Sequence, residues 1–343
     1  MLRAAGLLLL ASFLFPQFLH AETYLIIPFF NLSPAKNIEW IGESIAETLQ
    51  ESFVNEGLLT VSRAQRDAAF DELGIRRSAR LTQATIMELA TNLDAGAVIY
   101  GSFAFAPADG RAGKLTLQAS VLDLRRLRRS QVLEQTGPLE ELSLIQARLA
   151  RRVLLQLQPG FAVSEEDFLK TNPPIRLDAL ESYVRGLMAT ALDQKLALFA
   201  NAARLEPAFS QPCFHLGRLH FERKDYRAAA EWLQRVLPSD SHYREALFFM
   251  GLTRYHLADF AASRAAFAQL AGDTPLGPVL NNLGVAELRS GSPEAAATLR
   301  RAVEADDSDP DFHFNLAYAL WRGGEFEAAA ASLAAVLERS PED

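Results

Sequence analysis

A repeat with a period of 33 to 34 residues fills the second half of the chain. Small residues stand at the same place in four successive segments, at Gly217, Gly251, Gly284 and Ala317, and a shorter copy places Gly186 before them. Each segment predicts two helices joined by a turn that contains Gly or Asp. Because helices of about 13 residues are marginal alone, stacked neighbours must supply their stability.

This pattern resembles the tetratricopeptide repeat and covers residues 177–343, about five helix pairs. In that family the first helices of successive repeats line a concave groove that receives an extended peptide or a partner helix. The resemblance implies aromatic anchors and amides along the groove, although many of these aromatic residues could instead be core between helices. Asn282 and Asn315 are favoured, since an amide is hard to justify by core packing. The implied positions are Tyr183, Phe214, Arg218, Phe221, Phe248, Tyr255, Asn282, Arg289, Phe314, Asn315, Tyr318, Trp321 and Arg322.

The first half predicts an α/β sandwich. The expected order is a strand over residues 24–30, an amphipathic helix over about 38–56, a short strand near 58–61 and helices over 64–93, then paired strands and a closing helix over 140–158. The alternation in "KLTLQASVLDL" is typical of a sheet with one buried and one wet face. We therefore predict an α/β domain followed by an all-α repeat region.

The segments "LIIPFFNLSP", "EWIGESIAETLQESF", "LLTVSR", "ATNLDAGAVIYGSF" and "IQARLARRVLLQL" resemble the TolB amino-terminal-like domain, which is related in layout to the flagellar FlgO-type domain. The resemblance covers residues 24–158 of a predicted domain over 22–158, and it implies that the opening strand is central in the sheet. The family usually turns its later hairpin with a Gly. This chain instead has a cluster that is either a solvated tip or a contact site for an acidic partner or an anionic lipid surface, namely Arg125, Arg126, Arg128 and Arg129.

Two further segments have their own composition. Residues 1–21 combine Arg3, an apolar stretch and a terminal Ala, which predicts a cleaved signal peptide and a periplasmic or secreted protein. The apolar stretch is shorter than the roughly 20 residues needed to cross a bilayer. Residues 159–176 carry Pro, Gly and acidic residues and predict a linker that Pro173 and Pro174 stiffen.

Charge and motifs limit the chemistry. The net charge of −8 becomes −9 when residues 1–21, which hold Arg3 and no acidic residue, are removed, and this sign argues against nucleic-acid binding. The single Cys213 permits no internal disulfide. The sequence has no phosphate-binding glycine loop, no nucleophile elbow and no helical zinc spacing of histidines. We predict no catalytic residue, no metal and no cofactor.

Three functional hypotheses follow. The first is a non-catalytic exported scaffold whose repeats hold a protein or peptide of the cell envelope while the α/β domain docks a second component. The second is a module that senses a small solute. The third is an envelope hydrolase using Glu43 and Glu47, which stand at i, i+4 but which an exposed helix face explains more simply. We also expect weak self-association through the Ala-rich outer face near the end of the chain.

Overall fold

A computed structural model describes residues 22–35, 37–108, 111–158 and 160–340. The predicted signal peptide lies outside these residues. The first half contains strands and helices in the predicted order. Their bounds are β1 Thr23–Ile26, β2 Phe30–Asn31, α1 Trp40–Asn55, β3 Leu59–Thr60, α2 Arg63–Glu72, α3 Gln83–Asn92, β4 Ala97–Ala108, β5 Arg111–Asp123, β6 Arg128–Arg129, β7 Leu133–Pro138 and α4 Leu142–Leu157.

The opening strand β1 is an interior strand of one mixed sheet. It pairs in parallel with β3 on one side and with β4 on the other. β2 continues along β4, also in parallel. β5 then pairs antiparallel with β4, and its other edge is shared by β6 and β7. The predicted α/β layer is therefore confirmed.

Helices cover both faces of the sheet. Alternate residues of a strand point to opposite faces, so Tyr24 and Ile26 join the core under α1 and α4, whereas Leu25 and Ile27 join the core under α2 and α3. The buried stripe of α1 follows the predicted helical spacing. Its members Ile41, Ile45, Leu49 and Phe53 are all fully buried.

Side-chain caps begin α2 and α3, the two helices that cover the face of the sheet with Leu25 and Ile27. The Ser62 hydroxyl accepts a hydrogen bond from the Gln65 amide, and the Gln65 side chain accepts one from the Ser62 amide, which forms a capping box ahead of α2. The Thr82 hydroxyl accepts from the Thr85 amide at the start of α3. These caps fix where the chain leaves the sheet.

The second half is helical, as predicted. Within residues 160–340 the structure contains five consecutive antiparallel helix pairs after one short helix, α5 Glu165–Thr171. The pairs are α6 Leu177–Met188 with α7 Leu192–Leu205, α8 Gln211–Glu222 with α9 Tyr226–Leu233, α10 Tyr243–His256 with α11 Phe260–Asp273, α12 Gly277–Ser290 with α13 Ala295–Ala305, and α14 Pro310–Gly323 with α15 Phe326–Arg339.

The small residues of the repeat sit where the two helices of a pair approach most closely. A Cβ atom on Gly217 would lie 2.5 Å from Cγ of Leu233, and one on Gly284 would lie 2.5 Å from Cγ of Leu299. On Gly251 it would lie 2.6 Å from the ring of Phe267. A large apolar residue of each second helix therefore fills the space that the missing side chain leaves.

The segment predicted to be a linker is packed rather than free. α5 lies within it, and Phe168 of α5 is 1 % exposed, in edge-to-face contact with Phe161 at 6.2 Å. Phe161 and Phe168 of this segment join the core under α1 and α4. The Pro and Gly content of the segment does not indicate this burial. The expectation that this segment acts as a spacer between separate halves is thus corrected.

The first repeat helix docks directly on the α/β layer. Leu180, Tyr183 and Val184 of α6 belong to the same core as α1. Arg185 Nη2 donates a hydrogen bond of 2.8 Å to the Asn37 carbonyl, and Ser52 Oγ donates one of 3.2 Å to Asn172 Oδ1. One core therefore runs from the sheet into the repeats.

None of the helices in the described ranges is long and apolar enough to cross a membrane.

Filling the close approach should destabilise the repeats. Gly251→Ala places a methyl group against the buried Phe267 ring, and such overpacking costs about 1 to 3 kcal/mol. Ala is the better helix former by about 1 kcal/mol, so we expect a net loss of up to about 2 kcal/mol in the free energy of urea unfolding.

Gly272 provides the matched control, since it lies in α11 with no atom within 4 Å of an added Cβ. Gly272→Ala should leave stability unchanged or raise it by up to about 1 kcal/mol. Equal effects of the two substitutions would contradict the close-approach explanation.

Candidate functional site

The first helices of successive repeats lie side by side and contact one another through polar groups. Asn315 Nδ2 on α14 donates a hydrogen bond of 2.9 Å to Asn281 Oδ1 on α12. Arg289 Nη1 on α12 donates one of 3.5 Å to Tyr255 Oη on α10. We call the surface formed by α8, α10, α12 and α14 the first-helix face, and it is where the sequence places the groove.

Two of the residues predicted to line the groove are in the core. Tyr183 is 2 % exposed, packs edge-to-face on Phe209 at 4.9 Å, and its hydroxyl lies 3.3 Å from His215 Nε2. Phe214 is 1 % exposed and stacks on His242 at 4.6 Å. These two side chains fill the junction of the first repeats and present no surface to a partner, which corrects the expectation.

Four more predicted residues are half-buried, and three of them, all except Arg218, contact a neighbouring helix. Phe221 packs edge-to-face on Phe249 at 5.3 Å, and Phe248 packs on Phe267 at 5.8 Å. Arg218 lies 6.0 Å from the Phe214 ring, and Tyr255 carries the contact to Arg289 described above. Such side chains shape the face and leave only part of their surface open.

The two favoured amides differ. Both Asn282 and Asn315 are half-buried. The Asn315 amide group is engaged by Asn281 of the preceding repeat, so its first role is to join α12 to α14. Asn281 rather than its neighbour, the predicted Asn282, makes this contact, because the side of α12 that carries Asn281 faces α14.

Three aromatic side chains are the large apolar residues that stand exposed on α14. Phe314 is 54 % exposed, Tyr318 45 % and Trp321 57 %. The Tyr318 and Trp321 rings stack at 6.0 Å with an interplanar angle of 21°. Since they stand at i, i+4 and i+7, they share one side of the helix. We call these three residues the aromatic strip.

Two exposed arginines stand on the first helices of the last two repeats, α12 and α14. Arg289 is exposed, and its guanidinium lies 4.6 Å from the Phe260 ring and 5.8 Å from the Tyr255 ring. Arg322 is exposed on α14. Neither forms a salt bridge within the described part of the chain. The aromatic rings hold Arg289 in place while its charge stays available.

Sequence reasoning missed an apolar cleft beside the strip. The cleft measures about 530 Å³ and is lined by Pro310, Asp311, Phe314, Leu333, Val336 and Leu337. Leu333 and Leu337 of α15 are 44 % and 56 % exposed. The helical spacing of α15 predicts a buried stripe that includes Leu333, so spacing alone could not identify this leucine as open.

The arginine cluster of the later hairpin divides into two parts. Arg125, Arg126 and Arg128 are exposed, and Arg126 Nε lies 3.8 Å from Asp123 Oδ2. Arg129 is exposed as well, but its guanidinium turns back over the sheet, where Nη2 donates a hydrogen bond of 3.1 Å to Ser120 Oγ. Contact between this cluster and an acidic partner stays a prediction.

Glu43 is buried and Glu47 is half-buried, both beside arginines of α2, which corrects the expectation of an exposed helix face. Glu43 is 5 % exposed, and its carboxylate bonds to the buried guanidinium of Arg66 and lies 3.1 Å from Arg63 Nε. Burial, with the nearby charge of Glu43, raises the pKa of Glu47 above its usual range. This ion cluster binds α1 to α2, because each buried charge needs its partner.

A second polar group lies between α1 and the first repeats. His242 Nδ1 lies 3.3 Å from Asp240 Oδ1, and Ser210 Oγ donates a hydrogen bond to the same carboxylate. Burial disfavours the charged form of His242, but the Asp240 carboxylate outweighs this effect and raises the pKa of His242. Across this junction, burial raises the pKa of Glu51 of α1 to about 7, with the Gln211 side chain acting in the opposite direction.

Stability at this junction should fall as the pH rises. The pKa of Glu51 is higher in the folded state than its ordinary value of 4.5. The contribution of this group to the free energy of unfolding is therefore fully present below about pH 4.5 and is lost as the pH rises through 7. Glu51→Gln removes that loss. At pH 8 the free energy of unfolding of the variant should exceed that of the parent by about 1 to 2 kcal/mol. Near pH 4.5 the two proteins should differ little.

The control is Glu231→Gln on the exposed face of α9, which should change stability by less than about 0.5 kcal/mol at either pH. Urea unfolding followed by circular dichroism at both pH values gives the comparison. A Glu51→Gln effect of the same size at both pH values would contradict the titration account.

The tetratricopeptide-repeat family model matches residues 196–244, 248–310 and 281–343. Similar solved structures include MamA from residue 41 onward of Desulfovibrio magneticus RS-1, with 18 % identity over 46 % of this chain and 91 % of that chain at a TM-score of 0.42. YrrB, described as a TPR protein with an unusual peptide-binding site, has 15 % identity over 48 % of this chain and 88 % of that chain at a TM-score of 0.45. No curated protein matches the chain. The C-terminal part of this protein carries tetratricopeptide repeats, as the sequence predicts.

Proposed function

We propose that this protein is an exported, non-catalytic scaffold that binds protein or peptide partners on the first-helix face of its repeats. The observation that carries this proposal is the aromatic strip of α14, in which three large rings stand about half exposed on one side of a helix. Large rings exposed together are typical of interaction sites, because aromatic side chains dominate the energetics of interfaces.

The available apolar surface is sufficient for a moderate affinity. Burying two or three rings stabilises a complex by about 1.5 to 3 kcal/mol each. After the costs of association and side-chain ordering, the balance is compatible with micromolar binding, near −8 kcal/mol. The cleft beside Phe314 adds apolar surface from Leu333 and Leu337. The strip can therefore act as the anchor of an interface.

Charge favours a particular class of partner. Arg289 on α12 and Arg322 on α14 are exposed cations on the same set of first helices as the strip. A segment with apolar or aromatic side chains and a nearby carboxylate would meet both features. Arg289 is held in place by Tyr255 and Phe260, so less side-chain freedom is lost when it pairs with such a carboxylate.

For the α/β domain we propose a docking role toward a second component of the cell envelope. The resemblance to the TolB amino-terminal-like domain and the exposed Arg125, Arg126 and Arg128 support it. Direct packing of α6 on α1 gives the two binding surfaces a set separation, in place of one determined by a free linker. Weak self-association stays a prediction, which the exposed leucines of α15 support.

The partner test uses photocrosslinking in cells that produce the full chain. A photoreactive amino acid at Tyr318 should give discrete crosslinked products, because that side chain faces the proposed partner. Leu276 is the matched control, since it is 58 % exposed but lies in the loop before α12. Equal product patterns from both positions, or no product from Tyr318, would rule out the aromatic strip as the binding surface.

The export proposal has its own test. If residues 1–21 are removed on export, the mature protein begins at Glu22, and intact mass measurement of the envelope fraction gives that value. Recovery of the full-length chain from the cytoplasmic fraction would overturn the proposal. That result would leave the binding role of the repeats to be decided by the crosslinking experiment.

A further inference from the structure

One face of the sheet is covered by helices over only part of its area. Under α2 and α3 this face is apolar, with Leu25, Val98 and Leu122 fully buried. Farther along the same strands the residues of this face become polar. Tyr100 pairs across the strands with Ser120, and Ser102 pairs with Gln118. The sheet thus presents a polar floor beside the helices.

A cavity of about 380 Å³ lies over this floor. Ile27, Pro28 and Leu81 contribute apolar walls, and Arg80 and Arg129 contribute charge. This volume lies in the range of small-molecule sites, which combine apolar walls with a few convergent polar groups. The cavity therefore has the size and composition to take one small organic molecule.

Arg129 is positioned over the floor by its neighbours. Nε and Nη2 donate hydrogen bonds of 3.3 and 3.1 Å to Oγ of Ser120, which is 3 % exposed. The guanidinium carbon lies 5.7 Å from the centre of the Tyr100 ring. A guanidinium carries five N–H donors, so donors are left for a ligand after the bonds to Ser120.

The charge of the cavity is positive. Its lining includes two arginines and no carboxylate, and neither arginine forms a salt bridge within the described part of the chain. The Glu134 carboxylate does not line the cavity. It accepts a hydrogen bond of 3.0 Å from Nε2 of Gln118, which does. The exposed Arg125 and Arg128 add to the positive potential that would attract an anion, whereas Arg126 lies beside the Asp123 carboxylate.

The topology of the sheet also favours this position. From β1 the chain passes through β2, which pairs with β4, and then through α1 to β3 on the far side of β1, whereas β4 continues to β5. The cavity begins at Ile27 and Pro28, directly after the carboxyl end of β1 and next to β4. In open α/β sheets ligands bind in the crevice where neighbouring strands connect in opposite directions.

We propose that this cavity binds a small organic anion. Arg80 and Arg129 hold its carboxylate or phosphate group, and a body of about one ring rests on the apolar wall formed by Ile27 and Leu81. This role belongs to the α/β domain and is independent of the partner proposed for the repeats.

The experiment uses the chain from Glu22 onward with three probes: benzoate, phenyl phosphate and the neutral benzamide. Binding is measured by ligand-observed NMR. We expect at least one of the two anions to bind and benzamide to bind at least about tenfold more weakly. Comparison of benzoate with phenyl phosphate distinguishes a carboxylate ligand from a phosphate ligand.

Variants assign the site. Arg129→Gln and Arg80→Gln should each weaken anion binding by about tenfold or more, the factor expected for loss of a charge-assisted hydrogen bond. Arg126→Gln is the control, because Arg126 is an exposed arginine of the same hairpin that does not line the cavity. Far-UV circular dichroism checks that each variant is folded.

The proposal is overturned if neither anion binds, if benzamide binds as well as the anions, or if Arg129→Gln and Arg80→Gln keep the parent affinity. It is also overturned if Arg126→Gln weakens binding as much as the two cavity variants, since the effect would then come from general charge. An acidic protein segment that crosslinks to this hairpin while no small anion binds would assign the arginines to a docking surface.

Discussion

The structure of the repeats depends on the close approach of two helices at a single small residue. In the described repeats Leu233, Phe267 and Leu299 occupy the space next to glycines of the facing helices. Because this contact recurs once per repeat, each pair presents its first helix to the same side of the stack. Hydrogen bonds between neighbouring first helices, such as that of Asn315 to Asn281, then join these surfaces into one face.

The second constraint is the shared core between the sheet and the repeats. Tyr183 of the first repeat helix packs with residues that also contact α1, so the two halves are joined by burial and not only by the chain. Polar groups with shifted pKa values, Glu51 and the Asp240–His242 pair, lie at this junction, so we expect its stability to depend on pH. The sheet and the repeats therefore form one connected body.

Much of the fold was predictable from the sequence, since periodicity reports it directly. The glycine spacing identifies the repeats, and the isoleucine stripe of α1 together with the alternation in β5 identifies the α/β layer. Residues at boundaries were less predictable. Tyr183 and Phe214 have the spacing of groove residues, but their burial depends on docking against α1 and His242, which no local pattern encodes.

The same reason explains the carboxylates and the linker. Glu43 and Glu47 look like an exposed helix face until α2 brings Arg63 and Arg66 against them. Phe168 stands among polar residues and prolines, and its burial comes from long-range packing on α4. In the candidate site, the sequence identified the three rings of the aromatic strip but gave no reason to separate them from the core aromatics. Only tertiary packing makes that distinction.

The central claim is that the repeats present an open aromatic surface on α14, and tryptophan fluorescence tests it most directly. The chain has three tryptophans, of which Trp40 is 4 % exposed, Trp232 is half-buried and Trp321 is 57 % exposed. Trp321→Phe should therefore remove a red-shifted component of the emission that acrylamide quenches readily, and leave the shielded component unchanged. Loss of a blue-shifted, poorly quenched component would show that Trp321 is buried, and that result would contradict the account.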